Sequence, residues 1–109
     1  MESEQIDRVF HALAHPVRRG VLREIAQREC SVSELAAPFA MTLEGVSQHI
    51  RVLERAGLLT RTRRGRVHGC RLRPAPLNDA AAVLAELSRF WDAKLDALDR
   101  YLRETLGED

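Results

Sequence analysis

The 109-residue sequence predicts a mainly α-helical fold with a small β-wing, arranged as a winged helix-turn-helix. Three observations lead to this prediction. Residues 32–56 read as two short helices separated by a turn, residues 59–72 read as a hairpin, and residues 77–106 read as one long helix with an apolar stripe. A chain of this length is expected to form one domain, residues 1–109.

The helix-turn-helix segment, about residues 32–56, is marked by start and stop signals. Ser31 and Glu34 have the spacing of a capping box. Pro38 falls late in the short helix that follows, so this helix is expected to be distorted or to end there. Thr42 is a good N-cap for a second helix, and Gly57 is a typical helix stop.

The second helix of this segment has two chemically different faces. Val46, Ile50 and Leu53 fall at positions i, i+4 and i+7 and form one apolar stripe. The other side of the helix is polar and carries Glu44, Ser47, Gln48 and Arg51. A polar face of this kind is what a recognition helix presents to the base edges of DNA.

The hairpin segment, about residues 59–72, is unusually basic. Its first half alternates threonines and arginines, and its second half runs from Val67 to Leu72. We predict the turn at Arg64–Gly65, because glycine tolerates a positive φ. Such a hairpin is poor material for a core and suits a wing beside the recognition helix.

Charge is segregated along the chain, although the net charge is only +1. Residues 47–73 contain eight arginines and one acidic residue, whereas the segments on either side are acidic. A basic centre between acidic ends predicts a surface oriented toward double-stranded DNA. The alternative is a solvated arginine-rich hairpin without a partner.

The predicted terminal helices indicate a homodimer. Residues 77–106 would span about 45 Å as a helix, and about 70 remaining residues cannot both fill a core and cover its stripe. The candidate interface residues are Phe10 in the first helix and Leu84, Phe90, Trp91, Leu95, Leu98 and Leu102 in the last. The alternative is that the last helix folds back as an intramolecular lid.

Composition excludes several functional classes. No apolar run reaches about 18 residues, so no membrane partner is expected, and the acidic start MESEQIDRVF is not a signal peptide. Two cysteines do not make a disulfide framework, which predicts the reducing cytoplasm. No nucleophile–base, metal-hydrolase or phosphate-loop motif is present. We therefore expect neither an enzyme nor a cofactor.

Several segments resemble the ArsR/SmtB family of transcriptional regulators. The resemblance covers residues 6–103, and VSQHIRVLERAGLL is its most specific part. It implies a homodimeric winged-helix repressor that binds operator DNA and leaves it when an effector, here unknown, binds. The family pattern implies DNA contacts at Thr42, Leu43, Ser47, Gln48, Arg51, Arg63, Arg64 and Arg66.

The sequence departs from the metal-sensing members that it resembles. Where those members carry a Cys-x-Cys pair, this chain has Ser31 and Ser33, and Cys30 is displaced by one residue. Hydroxyls are poor ligands for the soft and borderline metals that thiolates bind. The last helix contains no histidine, so the family's second metal site is also missing. No metal is therefore expected.

The remaining histidines and cysteines leave alternatives open. His49 lies beside the apolar stripe, which favours a packed role over base contact, and His68 in the wing could meet a phosphate. A short strand before the helix-turn-helix would bring Cys30 near Cys70, so the two thiols are either a redox switch or unreactive core residues. A winged-helix protein-interaction module that does not bind DNA is the alternative of a different class.

Overall fold

The computed structural model describes residues 2–107 and confirms the predicted fold class. In this part of the chain, five α-helices, one short 3-10 helix and three strands follow one another. Their bounds are α1 Glu2–Leu13, α2 Pro16–Gln27, β1 Cys30–Ser31, α3 Val32–Ala36, the 3-10 helix Ala37–Phe39, α4 Leu43–Arg55, β2 Leu59–Arg64, β3 Val67–Leu72 and α5 Ala75–Thr105.

Local capping decides where the first helices begin and end. α1 stops at Leu13, and α2 starts at Pro16, as the His15–Pro16 pair predicts. His15 is the N-cap of α2, and its Nδ1 accepts a hydrogen bond of 3.1 Å from the backbone N–H of Val17. The ring is thereby fixed at the junction between the two helices.

The core lies between α1, α2, α4 and the base of the sheet. The predicted stripe of α4 is confirmed, because Val46, Ile50 and Leu53 are each 0% exposed. They pack with other apolar side chains, among them Val9, Val21, Ile25, Leu35, Leu58 and Leu59. Burial of this one face turns the polar face of α4 outward.

The sheet is antiparallel with strand order β1-β3-β2. Arg64 pairs with Val67, so the turn residues are Gly65 and Arg66. The predicted turn at Arg64–Gly65 is therefore wrong by one position. The reason is that Gly65, with φ of 65°, is the first central residue of the turn, which is the place of glycine in a type II′ hairpin.

The last helix begins earlier than predicted. α5 starts at Ala75 and not at residue 77, with Pro74 as its N-cap and Pro76 in its first turn, where proline is favoured. Ala80 is its buried residue, and residues 84–107 are all exposed.

No helix within residues 2–107 is long and apolar enough to cross a membrane.

A buried arginine joins α1, α2 and α4. Arg18 is 8% exposed, and its Nε and Nη2 donate hydrogen bonds of 2.7 and 3.0 Å to the carbonyls of Ala12 and His11 at the end of α1. Its Nη1 lies 3.3 Å from Nδ1 of His49, whose ring centroid is 4.3 Å from that of His15. Because a guanidinium only donates, Nδ1 of His49 must accept, which requires the neutral ring.

These contacts predict that stability depends on pH through His49. Burial, together with the neighbouring His15 and Arg18, lowers the pKa of His49. The unfolded state therefore binds the extra proton first, so the free energy of unfolding is highest above about pH 6.5 and falls as the pH drops through the folded-state pKa. His49→Gln should flatten this dependence in urea unfolding measured between pH 5 and 8.

The matched control is His68→Gln, at an exposed position in the wing that makes none of these contacts. This variant should keep the pH dependence of the native protein. A His49→Gln protein whose unfolding free energy falls with pH as steeply as that of the native protein would contradict the assignment.

Candidate nucleic-acid interface

The N-terminus of α4 is fixed by its own cap. Thr42 has extended backbone angles, and its Oγ1 accepts a hydrogen bond of 3.0 Å from the N–H of Gly45. Leu43 follows with 54% of its surface exposed. Gln48 and Arg51 are exposed on the next turns. α4 therefore carries these predicted contact residues on one accessible face, and half-buried Ser47 lies at its margin.

The wing separates its arginines between two faces. Successive side chains of a strand point to opposite sides, so Arg63 lies on the same face of β2 as buried Leu59, and Arg64 lies on the other. Arg63 also donates from Nε to the carbonyl of Gly65 at 3.0 Å, which holds it against the turn. Arg66 lies in the turn itself and is exposed. The three predicted wing contacts thus point in different directions from one rigid hairpin.

Arg61 is a basic residue that the sequence analysis did not select. It lies on the inner face of β2, opposite Cys70, and its Nε is 3.3 Å from Oε1 of Glu54 near the end of α4. The alternation of β2 could have placed Arg61 on this face, but nothing local showed that Glu54 would be its neighbour. The pair links β2 to α4.

The two cysteines are direct neighbours across β1 and β3. Cys30 pairs with Cys70 in the antiparallel register, and both are buried. Burial raises the pKa of both thiols, and the Arg61 guanidinium opposes this effect at Cys70. Sγ of Cys30 lies 3.3 Å from the carbonyl oxygen of Arg28, to which the thiol can donate. The predicted approach of the two residues is confirmed, and the reactivity of their thiols stays a prediction.

The residues at the family's metal positions form a helix cap. Oγ of Ser31 accepts from the N–H of Glu34 at 3.1 Å, and the Ser31 N–H donates to Oε1 of Glu34 at 2.8 Å. This backbone hydrogen bond, aided by Arg28, lowers the pKa of Glu34. Ser33 is exposed beside the cap. Within residues 2–107, no three His, Cys, Asp or Glu side chains converge as a metal site.

The stripe of α5 is uncovered in a single chain. The predicted interface residues of this helix are all large and exposed, from 42% at Leu102 to 64% at Phe90, and include Leu84, Trp91, Leu95 and Leu98. Phe10 of α1 is half-buried against the core. The alternative in which the helix folds back as a lid is therefore not what the chain does.

Comparison with known proteins identifies the family. A family model described as a helix-turn-helix domain matches residues 13–62. The HTH-type transcriptional regulator Rv2034 of Mycobacterium tuberculosis is 35% identical over 103 residues, which cover 94% of this chain and 92% of that protein. A crystal structure of an ArsR family transcriptional regulator matches with 39% identity and a TM-score of 0.77, over 83% of this chain and 93% of the other. This chain belongs to the ArsR family.

The ArsR membership confirms the resemblance seen in the sequence and makes the chain a DNA-binding transcriptional regulator. A further structural relative is the homodimeric winged helix-turn-helix DNA-binding domain of a Mycobacterium bovis protein. It is 29% identical, with a TM-score of 0.62, and the match covers 86% of this chain and 84% of that domain. DNA is therefore the partner of this ArsR-family chain, and α4 and the wing are the elements available to meet it.

Proposed function

We propose that this protein is a homodimeric repressor that binds an operator made of two inverted half-sites. The observation that carries the proposal is that a single subunit exposes two different surfaces, one polar and basic and one apolar. α4 presents a polar face beside an arginine-rich wing, and α5 presents an apolar stripe of which Trp91 is 61% exposed. The first face suits DNA and the second suits another copy of the chain.

The proposed DNA contacts divide into two kinds. Gln48 and Arg51 on α4 are placed to read base edges, and Leu43 can meet a thymine methyl group. Thr42 and Ser47 are proposed to hold the helix on the duplex by hydrogen bonds to phosphate. In the wing, Arg63, Arg64 and Arg66 are proposed to neutralise phosphates, which raises affinity for every sequence.

The proposed dimer is symmetric. A two-fold axis would pack the stripe of α5 and part of α1, including Phe10, on their counterparts. The homodimeric relative from Mycobacterium bovis supports self-association. Each dimer then carries two copies of α4, which should meet half-sites about 34–36 Å apart. Selection of bound DNA by the purified protein tests the proposal, and a monomer on a single asymmetric site would contradict it.

We also propose that no metal held at the start of α3 triggers release from DNA. Ser31 is engaged in the capping box with Glu34, and a serine hydroxyl is a weak ligand for soft metals. Any effector of this protein would therefore have a different chemistry or a different site from that of the metal-sensing members.

Substitutions on α4 and in the wing should have different effects. Gln48→Ala should change or relax the preferred operator sequence, because glutamine can pair bidentately with adenine. Arg66→Gln should weaken binding to operator and random duplex alike and flatten the salt dependence, because it removes a phosphate contact. Fluorescence anisotropy with both duplexes between 50 and 200 mM salt measures both effects. Wing variants that retain full affinity at every salt concentration would contradict the assignment.

Trp91→Ala should separate the dimer. Truncation of a buried aromatic side chain costs about 3–5 kcal/mol, and association is coupled to folding when the monomer exposes so large a stripe. The variant should therefore lose operator binding at nanomolar protein and melt at a temperature that depends on protein concentration. Analytical ultracentrifugation reports the association directly.

Arg89→Ala is the matched control, since Arg89 lies on the opposite side of α5 from Trp91 and is also exposed. It should remain dimeric and bind operator normally. A Trp91→Ala protein that also does so would show that α5 is not the main interface.

A thiol-based regulator is the second candidate, and the pairing of Cys30 with Cys70 favours it. Directly opposed residues of antiparallel strands have Cα atoms about 4.5–5.5 Å apart, a separation that a disulfide can bridge. Oxidation by hydrogen peroxide would join the two sulfurs and break the O–O bond, and the two thiol hydrogens would pass to the peroxide oxygens to give two water molecules. Burial and the raised thiol pKa values slow this reaction.

Exposure of the native protein to hydrogen peroxide tests this candidate. A disulfide should lower the protein mass by about 2 Da and weaken operator binding, and a thiol reductant should reverse both changes. Cys70→Ser should keep its mass and its DNA affinity under the same treatment. Thiols that stay reduced in the native protein would leave Cys30 and Cys70 as core residues only.

A further inference from the structure

A cleft separates the recognition helix from the wing. It has a volume of about 390 Å³ and lies between the first turns of α3 and α4 and the inner side of the hairpin. Among the described residues that line it are Ser33, Leu43, Ser47, Arg61, Arg66 and His68. The lining contains two arginines and no carboxylate. This is a site for an anionic group with space for hydroxyl contacts.

The geometry of duplex DNA supplies such a group at this place. The major groove is bordered on each side by a sugar-phosphate strand, and beyond that strand lies the minor groove. If α4 occupies the major groove, a hairpin that stands beside α4 on the same duplex must straddle or abut this strand. The strand would then run through the cleft.

Arg61 has the properties of an anchor for this phosphate. It is on a paired strand and not at the hairpin tip, and its Nε is held 3.3 Å from the Glu54 carboxylate. A quarter of its side-chain surface is exposed. Both Nε and Nη2 are buried without a hydrogen-bond partner. Those two nitrogens are closed to solvent, so a phosphate would meet the guanidinium at its exposed part, while Glu54 holds the side chain at the edge of the cleft.

We propose that the cleft is a phosphodiester site in which Arg61 anchors one backbone phosphate of the operator. Arg66 approaches the same strand from the turn, and the hydroxyls of Ser33 and Ser47 are available to its oxygens. This role rests on the proposed mode of DNA binding. It adds Arg61, Ser33 and His68 to the surface that meets the duplex, and it gives Glu54 the task of positioning Arg61.

Salt dependence of DNA binding tests the proposal. Arg61→Gln should weaken binding to operator and random duplex by the same factor. It should also reduce the slope of log affinity against log salt by about 1.8, which is about 0.9 for each of the two phosphates that the dimer would contact through its two copies of Arg61. Between 50 and 200 mM salt, the native protein should then lose about twelvefold more affinity than the variant does. Arg71→Gln is the matched control, because Arg71 is exposed on the outer side of the same sheet; its slope should stay near that of the native protein.

A second pair of variants leaves the Arg61–Glu54 pair intact, in case Arg61→Gln does not fold. Ser33→Asp places a negative charge in the cleft at an exposed position, and Ser33→Asn is its neutral isostere. The aspartate variant should bind both duplexes less tightly, whereas the asparagine variant should bind nearly as the native protein does. Equal affinity of these two variants would overturn the proposal, as would a folded Arg61→Gln protein with an unchanged salt slope.

Calorimetry with inorganic phosphate separates DNA from a free anion as the occupant. Saturable binding of phosphate that Arg61→Gln removes, together with an unchanged salt slope on DNA, would assign the cleft to a free phosphate-bearing ligand and overturn the operator assignment. A native dimer that binds no duplex at all would instead overturn the proposed function, so the two failures are distinguishable.

Discussion

The pairing of β1 with β3 is the constraint on which the rest of this structure depends. β1 has only two residues, yet its last one, Ser31, is paired with Gly69 and is also the N-cap of α3. The wing is therefore joined directly to the first residue of the helix-turn-helix. A Cβ at Gly69 would meet the exposed Glu29 carboxylate, which accepts a 2.6 Å hydrogen bond from Thr62, so a larger residue there would displace this side chain. The pairing of β1 with β3 thus fixes the wing relative to the start of the helix-turn-helix.

A fixed angle matters because DNA binding uses both elements at once. When two elements bind one partner, the affinity is higher if their relative position is already fixed, because ordering flexible parts on binding costs free energy. Arg18 has the same effect on the other side of α4, where it ties His49 to the end of α1. α4 is thus held on one side by Arg18 and on the other by the ion pair of Glu54 with Arg61, while its apolar stripe fixes its rotation.

Local signals predicted the elements well, because their causes lie within a few residues. The capping box of Ser31 and Glu34, the Thr42 cap and the stripe of α4 each depend on neighbours in the same turn or the next. The hairpin turn was misplaced by one residue because both Arg64–Gly65 and Gly65–Arg66 offer a glycine, and only strand pairing decides between them. Arg61 was missed for a similar reason, since its approach to Glu54 exists only after β2 packs beside α4. A sequence pattern predicts which face of an element a residue lies on. Which residues of two elements touch depends on how the elements pack in the folded chain.

The α5 stripe and the Arg61 guanidinium both lack a partner that would stabilise them fully in a single subunit. A domain of this size has a small margin of stability, yet it leaves the stripe of α5 in water and two nitrogens of Arg61 without hydrogen-bond partners. The exposed stripe costs free energy in the isolated chain, and an apolar partner surface would cover it. The positive charge of Arg61 at the cleft would attract an anion. A two-fold dimer on DNA would satisfy them together, because the α5 contact that hides the stripe also sets the distance between the two copies of α4. Conditions that loosen the α5 contact would then change the distance between the two copies of α4 before they disturb either helix-turn-helix. The dimer contact is therefore a place where an effector can act far from the DNA.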